Sequence, residues 1–383
     1  MVATTASARL TVETISSETA FSELGAQWDT LVRAGPRPSP FLLHAWLLEW
    51  WRHHGDEGEL AVHVAYRDGR LVGALPLCVL PRRGLRVTSF IGGDPGLADM
   101  LLADDESVST ADALADRARG ADQDLAEFSG LPADSRLIAA LGPSALMLIE
   151  RSEAPVLDLS PDWDSVYTTK FSSKQRSHHR RRRRQLAELG RVDVEVARTV
   201  DELKAALEDA FVLHDLRWQG RPDGSGFTTP AGRRFSHAAI EALAPLGVPR
   251  IVTLKIDGRA VAFHYFLALE GRIYVHRIAF DPEFSRYSPG VVNTLDAIEA
   301  AAAEGATRVE FLGGAERYKV DLADRLEPLY QAFGLAGSLK GRAAVAGWMG
   351  MIRARKLLKR SHALRHFYFD GLAPARKLFG KHA

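Results

Sequence analysis

A pattern of strand, Asp-Gly-Arg turn and strand occurs twice in this chain, and it constrains the fold more than any other feature. The two copies are LAVHVAYRDGRLVGALPLCVL (60–80) and RIVTLKIDGRAVAFHYFLAL (250–269). Asp-Gly between apolar runs predicts a two-residue hairpin turn, because glycine supplies a positive φ. Similar helical letters precede each copy, FLLHAW (41–46) and FVLHDLRW (211–218). This parallel order predicts two copies of one α/β unit, divided near 150–165.

The second copy continues through another tight turn, at 270–271, into the strand RIYVHRIAF. A two-residue turn there would pair His264 with Arg277 and Tyr265 with His276, on opposite faces of the sheet. We expect one of these pairs to face a cleft, which makes His264 and His276 candidate catalytic bases. The alternative for each histidine is a structural role inside a strand.

The segment after this hairpin predicts a helix and a strand that end near one another. Ser288 is a good N-cap, Pro289 suits the first helical position, and the Ala-rich body runs to Gly305. The N-terminus of such a helix can bind phosphate or carboxylate, although every well-capped helix shares this property. The next strand, TRVEFLGG, ends at a glycine pair and leads into AERYKVDLAD. We expect a ligand cleft between the ends of these two strands.

Five consecutive arginines lie in the segment SSKQRSHHRRRRRQLAELG (172–190). Ser172 and Gln175 predict a capping box, and Gly190 a helix end. Because successive arginines cover every side of a helix, we expect this part not to pack on a core. The interpretations that remain open are a solvated connector, a contact with an anionic ligand or surface, and nucleic-acid binding. The adjacent pairs His53-His54 and His178-His179 do not have the spacing of metal ligands on one helix face, and we expect them to be exposed.

Charge and cysteine content narrow the function classes. The tail from residue 340 has eleven Lys and Arg against one acid, whereas the preceding residues have 38 basic and 47 acidic side chains. An acidic body argues against DNA binding. A single cysteine excludes internal disulfides, and nothing at the N-terminus resembles a signal peptide, so we expect a cytoplasmic protein. We find no Walker A loop, nucleophile elbow or His-Glu-x-x-His motif, and we expect no metal.

The series AFHYFLALEGRIYVHRIAFDPEFSRYSPG followed by EFLGGAERYK resembles the acetyltransferases associated with cellulose biosynthesis, of the CelD/BcsL type. That family belongs to the GNAT superfamily and is similar to the FemABX aminoacyltransferases. The resemblance covers most of residues 10–335 and implies an α/β (α+β) fold. It implies two tandem GNAT-like halves, each a mixed, mostly antiparallel sheet flanked by helices, at 10–150 and 165–335. A basic helical tail would follow at 341–383.

The resemblance implies an acyltransferase that uses acetyl-CoA or another acyl-CoA. The acceptor would be an amine or hydroxyl of a saccharide, a cell-envelope precursor or another small molecule. GNAT enzymes usually hold the pyrophosphate with an Arg/Gln-x-x-Gly-x-Gly/Ala loop, but Pro289 and Val291 occupy two of those positions here. The alternatives are therefore an aminoacyltransferase that uses aminoacyl-tRNA, or a non-catalytic assembly factor at a membrane surface. The basic tail could add weak contact with an anionic membrane.

Three groups of residues are candidates for this site. The catalytic candidates are Tyr318, Lys319, Glu316, His276 and His264. The candidates for donor binding in the second half are Arg286, Tyr287, Ser288 and Gly290. The candidates for substrate binding are Arg217, Trp218, Glu310 and Gly313.

Overall fold

The computed structural model describes residues 9–92, 96–120, 122–142, 145–160, 162–218 and 226–360, with side chains described as far as Met351. Within these residues there are thirteen strands, all in one sheet. The strands are β1 (Leu10–Ile15), β2 (Glu59–Arg67), β3 (Arg70–Arg82), β4 (Leu85–Phe90), β5 (Leu101–Leu102), β6 (Leu125–Pro132), β7 (Leu146–Asp158), β8 (Val192–Ala197), β9 (Pro249–Ile256), β10 (Arg259–Leu269), β11 (Arg272–Phe280), β12 (Arg308–Glu310) and β13 (Arg325–Gly334).

Twelve α-helices are described, and none of them is long and apolar enough to cross a membrane. They are α1 (Glu18–Ser22), α2 (Gly25–Ala34), α3 (His44–His54), α4 (Val108–Arg119), α5 (Arg136–Leu141), α6 (Trp163–Lys170), α7 (Ser173–Ala187), α8 (Val200–Trp218), α9 (Pro230–Leu243), α10 (Pro289–Ala303), α11 (Arg317–Leu322) and α12 (Leu339–Arg360). Short 3₁₀ helices lie at Pro40–Leu42, Gly226–Thr228, Ala244–Leu246 and Pro282–Tyr287.

The sheet has the same sequence of pairings when it is followed inward from either edge. One edge runs β1, β2, β3, β4, β6 and β13, and the other runs β8, β9, β10, β11, β12 and β7. Each series has three antiparallel pairs, one parallel pair and a final antiparallel pair. The predicted fold class, two similar halves of mixed, mostly antiparallel sheet, is confirmed.

The two halves exchange their last strands. β7 follows β6 in the sequence but pairs with β12, and β13 follows β12 but pairs with β6. β7 and β13 then pair with each other along Leu146–Val156 and Arg325–Gly334, which closes the sheet into one continuous layer. The predicted division into domains near 150–165 falls at this exchanged strand and stays a prediction.

Both predicted Asp-Gly hairpins are present and have the same geometry. Asp68 and Gly69 have φ values of 49° and 79°, and Asp257 and Gly258 have 49° and 81°. In each hairpin the strand pairing then skips the third residue after the glycine, so that a β-bulge falls at equivalent places. Equivalent turns followed by equivalent bulges are what two copies of one unit predict.

Side chains of β10 and β11 alternate between two helical layers. Phe263, Tyr265 and Leu267 lie in the hydrophobic cluster that contains side chains of α3, α8 and α9. Phe266 and Val275 lie in a second cluster, with the apolar side of α10. We call these the α8 face and the α10 face of the sheet.

The arginine helix α7 has its predicted capping box and contacts α10 on one side. The Ser172 side chain accepts a hydrogen bond from the Gln175 amide, and Gln175 accepts one from the Ser172 amide. Leu186 is buried, and Arg183 donates to the carboxylate of Asp296, a buried residue of α10. The arginine run itself does not pack on a core, as expected: Arg180, Arg181, Arg183 and Arg184 are exposed and Arg182 is half-buried.

The C-terminal helix α12 contacts the sheet through its aromatic residue. The Trp348 ring lies 4.0 Å from that of Phe333 on β13, centroid to centroid. Residues 361–383, which hold part of the predicted basic tail, lie outside the described residues.

The duplicated turns lead to a stability prediction. Gly258→Ala should lower the free energy of unfolding by about 1 kcal/mol, because the backbone is left-handed there and no other atom lies within 4 Å of an added Cβ. Gly258→Asn should cost less, since asparagine adopts this conformation more readily. Gly347→Ala, on α12 with equal space, is the control and should not destabilise. Equal urea-unfolding curves for wild type and Gly258→Ala would contradict this account of the turn.

Candidate active site at the gap between two parallel strands

The second half opens where its two parallel strands separate. β11 and β12 pair only through Arg272–Tyr274 and Arg308–Glu310. Beyond these residues β11 continues to Phe280 and turns into α10, whereas β12 ends and turns through Gly313-Gly314 into α11. The ends of the two strands and the starts of two helices therefore surround one gap.

The start of α10 lies against the end of β11. A Cβ added to Gly290 would lie 3.0 Å from Cδ1 of Phe280, so this glycine allows the close approach of helix and strand. Ser288 occupies the N-cap position with a left-handed φ of 54°, but its side chain makes no capping hydrogen bond. Ser288 is therefore the N-cap residue as predicted, and its carbonyl accepts a hydrogen bond from the Val291 amide.

On the other side of the gap lie Glu316, Tyr318 and Lys319, which we call the α11 group. Lys319 is only 6% exposed and its Nζ is 2.8 Å from Oε2 of Glu316. Partial burial acts to raise the pKa of Glu316, but the hydrogen bond and charge of Lys319 outweigh it and hold this pKa below its usual value. The Tyr318 hydroxyl is buried without a hydrogen-bond partner, and burial raises its pKa. The group thus combines a neutral proton donor with a closed ion pair.

Arg217 joins the two sides of the gap. Its guanidinium carbon lies 4.8 Å from the centroid of the Phe280 ring, next to the start of α10. Its positive charge also acts to lower the pKa values of both Glu316 and Tyr318. The structure therefore brings together Arg217, Gly290 and the α11 group, which are far apart in the sequence.

A cavity of about 520 Å³ lies on the α10 face of this gap, between α7, α10 and α11. We call it the α10 cavity. Its charged side chains are Arg182, from the arginine run, and the exposed Arg317, which has the carboxylate of Asp321 at 3.9 Å in the same wall. Its walls also include His178, His179, Val291, Thr294, Leu295 and Tyr318.

A second cavity, of about 140 Å³, lies on the α8 face, and we call it the aromatic pocket. Both His276 and Arg277 line it, although neighbours in a regular strand point to opposite faces. The reason is a β-bulge: Tyr265 pairs with Arg277 and Phe266 with Val275, which leaves His276 as the extra residue. The predicted pairing of His264 with Arg277 and Tyr265 with His276 was therefore wrong, and His264 pairs with Ile278.

The two predicted strand histidines lie in different surroundings. His264 is 1% exposed on the α10 face, and neither ring nitrogen has a partner. Burial, with a smaller effect of the Lys319 charge, lowers the pKa of His264 to about 3. Burial and the neighbouring Arg277 hold the pKa of His276 well below its usual value, and its Nδ1 has no partner. Both imidazoles are neutral at pH 7.

The remaining candidates lie around the edge of the gap. Glu310 is buried beside Arg272 and Arg308, at 3.5 and 3.6 Å, and burial raises its pKa. Arg286 is exposed, and its guanidinium carbon lies 4.6 Å from the ring centroid of Tyr287, another candidate. The rings of Trp218 and His214 stack with their centroids 5.8 Å apart. A Cβ added to Gly313 would lie 2.9 Å from Ser152 Oγ. Their roles in donor and substrate binding stay predictions.

Sequence reasoning missed the aromatic pocket. Trp46 and Phe235 line it from α3 and α9, and His54 lines it at the end of α3. Of the two histidine pairs that were expected to be exposed, His54 and His178 are exposed, whereas His53 and His179 are half-buried. His54 and His179 also line the two cavities, where His54 stacks on Trp50 and His179 hydrogen-bonds with Tyr167. The available signal was the aromatic content of FLLHAWLLEWW, which also suits an ordinary core helix. Among the described residues, no three His, Cys, Asp or Glu side chains are grouped to hold a metal.

The equivalent opening of the first half is filled by its own chain. There β4 and β6 pair only at Val87–Thr88 and Leu125–Ala126. The Asp99 carboxylate lies at the start of α5, the counterpart of α11, and accepts hydrogen bonds from the Ser135 hydroxyl and the Leu137 amide at 2.8 and 3.0 Å. In the first half, the Asp99 carboxylate therefore binds amides at the start of α5. Their counterparts in the second half belong to Arg317 and Tyr318, which line the α10 cavity.

Comparison with known families adds to this geometry. Residues 173–320 match the family model described as Acetyltransferase (GNAT) domain. The matched segment runs from the arginine helix into α11 and so includes most of the residues that line the α10 cavity. The prediction of an acyltransferase is confirmed. No curated protein matches the chain.

Solved structures with low sequence identity share the fold. The structure of FemX is 13% identical, with a TM-score of 0.58, and the alignment covers 84% of this chain and 96% of FemX. A C-terminal DUF2156 domain from Agrobacterium fabrum, described as part of a lysylphosphatidylglycerol synthetase, is 12% identical with a TM-score of 0.53, covering 86% and 95%. L-PGS from Bacillus licheniformis is 14% identical with a TM-score of 0.50, covering 77% and 88%.

Two tyrosines near the gap should respond differently to loss of their hydroxyl groups. Tyr318→Phe should leave the free energy of unfolding unchanged or raise it by about 1 kcal/mol, because the buried hydroxyl has no partner. Tyr274→Phe should lower it by about 1 kcal/mol, because the Tyr274 hydroxyl donates to the Pro38 carbonyl. Chemical denaturation measures both. Destabilisation by Tyr318→Phe equal to that by Tyr274→Phe would make Tyr318 an ordinary structural tyrosine.

Proposed function

We propose that this protein transfers an acyl group from acyl-CoA to a hydroxyl or amine of a saccharide, cell-envelope precursor or other small acceptor. The observation that supports this most is the α10 cavity, which is large, partly cationic and adjacent to the N-terminus of α10. Acyl-CoA has phosphates at one end and a narrow, mostly apolar arm at the other. The cavity offers Arg182 and Arg317 for the first and Val291, Leu295 and the Phe171 ring for the second.

The start of α10 is suited to the pyrophosphate even though the usual glycine pattern is missing. Pro289 has no amide hydrogen, and the Gly290 amide lies in the first turn, where a helix supplies no acceptor. The positive end of the helix dipole points to the same place. Arg286 is exposed just before this turn and could add charge. Val291 occupies the position of the second glycine of the usual loop, and it lines the α10 cavity.

Bound acyl-CoA would supply an acyl carbon activated by its thioester bond. Tyr318 lines the α10 cavity and keeps its proton, because burial raises its pKa, so Oη can donate a hydrogen to the departing sulfur. His276 lines the aromatic pocket, on the other face of the sheet, and its Nδ1 has no hydrogen-bond partner. This nitrogen can take the proton that the acceptor's hydroxyl or amine loses when it attacks the acyl carbon. Lys319, closed in its ion pair with Glu316, would position the α11 turn.

The closer assignment, to the CelD/BcsL type, rests on the sequence elements Tyr-Ser-Pro-Gly and Gly-x-x-x-Tyr-Lys. In the structure these elements form the start of α10 and the turn into α11, on the two sides of the gap. Membrane contact through the tail is a lesser part of the proposal. Trp348 already packs on Phe333, so α12 has less apolar surface for a bilayer.

Aminoacyl transfer from tRNA is the second candidate, and one observation favours it. Arg180, Arg181 and Arg184 are exposed on α7 while their neighbour Arg182 lines the cavity. A basic helix next to a cavity could hold the backbone of a tRNA whose aminoacyl end enters it.

Titration calorimetry with CoA and acetyl-CoA tests the donor. Arg182→Ala should weaken binding about tenfold, since it removes a charged contact in the cavity wall. Arg181→Ala, one residue away but exposed, is the matched control and should have little effect. Val291→Trp should fill the cavity and abolish binding without a fall in melting temperature.

The same variants separate the two donors. No CoA binding by the wild type, together with aminoacyl-tRNA binding that Arg180→Ala, Arg181→Ala and Arg184→Ala weaken, would replace acyl-CoA by aminoacyl-tRNA. CoA binding that neither Arg182→Ala nor Val291→Trp changes would place the donor outside the α10 cavity.

A further inference from the structure

Arg217, near the end of α8, is a half-buried cation without a carboxylate partner among the described residues. Its guanidinium carbon lies 4.8 Å from the centroid of the Phe280 ring. Arg233 on α9 offers a comparison, since it also lies over a phenylalanine ring, that of Phe211, at 4.4 Å. Arg233 is paired with the Asp215 carboxylate at 2.9 Å. Of these two similar arginines, only Arg217 keeps a charge that no carboxylate balances at close range.

Arg217 lies at the entrance to the gap, beside the start of α10. The Phe280 ring that it covers also contacts this helix start, since a Cβ added to Gly290 would lie 3.0 Å from Phe280 Cδ1. From the other side of the gap the charge of Arg217 acts on the pKa of Glu316. That carboxylate is already paired with Lys319, at 2.8 Å. The charge of Arg217 therefore remains for a ligand that enters here.

The first half has an apolar residue at the equivalent place. Counting forward from the matching letters FLLH and FVLH aligns Leu47 with Arg217. The two side chains also lie alike, because Leu47 Cδ2 would be 3.2 Å from a Cβ added to Gly92, just after β4, and Arg217 covers the last residue of β11. Leu47 is fully buried in the half whose opening its own chain fills. A cation at this position is costly unless an anion pairs with it, so its presence in the open half indicates an anionic ligand.

The start of α10 by itself offers little to a pyrophosphate. Pro289 has no amide hydrogen, and the Val291 amide donates to the Ser288 carbonyl at 3.1 Å, which leaves the Gly290 amide. A guanidinium that lies over a ring still has N–H groups at its edge, and these suit phosphate oxygens. Arg217 can thus supply contacts that the incomplete glycine loop does not.

We propose that Arg217 binds the pyrophosphate of the acyl donor. One phosphate accepts from the Gly290 amide, and the other accepts from the N–H groups of Arg217. Arg217, a candidate for substrate binding by sequence, thereby becomes a donor-binding residue. This inference rests on the proposed function for the identity of the donor, but a site for a pyrophosphate can be tested with ligands that carry no acyl group.

Three ligands that share a pyrophosphate test this on the full chain. They are CoA, dephospho-CoA, which lacks the 3′-phosphate, and ADP, which also lacks the pantetheine arm. In NMR titrations, Arg217→Gln should weaken all three by the same factor, about tenfold, because the lost contact is to the group that they share. Arg217→Lys should lose less, since it keeps the charge but not the planar fork. Arg233→Gln is the matched control and should leave all three affinities unchanged.

The pattern of losses decides whether the contact is to the pyrophosphate. A loss for CoA alone would place Arg217 at the 3′-phosphate, and a loss for CoA and dephospho-CoA but not ADP would place it at the pantetheine arm. Either pattern would overturn the proposal. Three unchanged affinities in an Arg217→Gln protein of unchanged melting temperature would also overturn it.

The same titrations keep this inference distinct from the proposed function. CoA binding that Arg217→Gln does not change would reject the role of Arg217 and leave the donor assignment intact. ADP binding that depends on Arg217, without CoA binding, would support the pyrophosphate site and reject acyl-CoA as the donor. No binding of any of the three ligands by the wild type would reject both.

Discussion

The antiparallel pairing of β7 with β13 is the interaction on which the rest of this structure depends. Each of these strands follows one half in the sequence and completes the sheet of the other half. Because a strand without its neighbours leaves amide and carbonyl groups unpaired, neither half is complete without the strand that it receives. The exchange holds the two halves in one layer, and the aromatic pocket that both halves line exists only in that arrangement.

The second constraint is the early separation of β11 and β12. Parallel strands that pair over three residues and then diverge leave a gap in the sheet instead of a hydrophobic interior. Two helix starts, at Pro289 and Arg317, end up beside this gap because each follows one of the diverging strands. The cavities on its two faces differ in kind: one has cationic side chains near a helix start, and the other is aromatic. A donor with phosphates and a small acceptor can then approach the same strand from opposite faces.

Several buried polar groups near the gap lack partners, and this costs stability. The hydroxyls of Tyr265 and Tyr318 and the ring nitrogens of His264 are examples. Some comparable groups elsewhere are satisfied, as when His44 hydrogen-bonds to the Phe21 carbonyl and Trp28 to that of Leu42, whereas Nε2 of His63 on β2 also lacks a partner. Unsatisfied groups concentrated at one place are typical of sites where a ligand or ordered water completes the hydrogen bonds. The first half differs here, since Asp99 fills the equivalent position.

The sequence by itself determined the local features of this protein. Both Asp-Gly turns, the capping box of α7 and the start of α10 at Pro289 depend on residues within a few positions of one another, so their preferences can be read directly. The sequence also predicted that the α11 group lies beside the start of α10, because the two strands that precede these helices were expected to end near one another. Only the tertiary structure decided the rest. The bulge that turns His276 and Arg277 to one face, the exchange of β7 and β13 and the meeting of Trp46 with Phe235 depend on pairing and packing between distant segments. A one-residue shift in strand register changes which face each side chain occupies, and no local propensity fixes that shift.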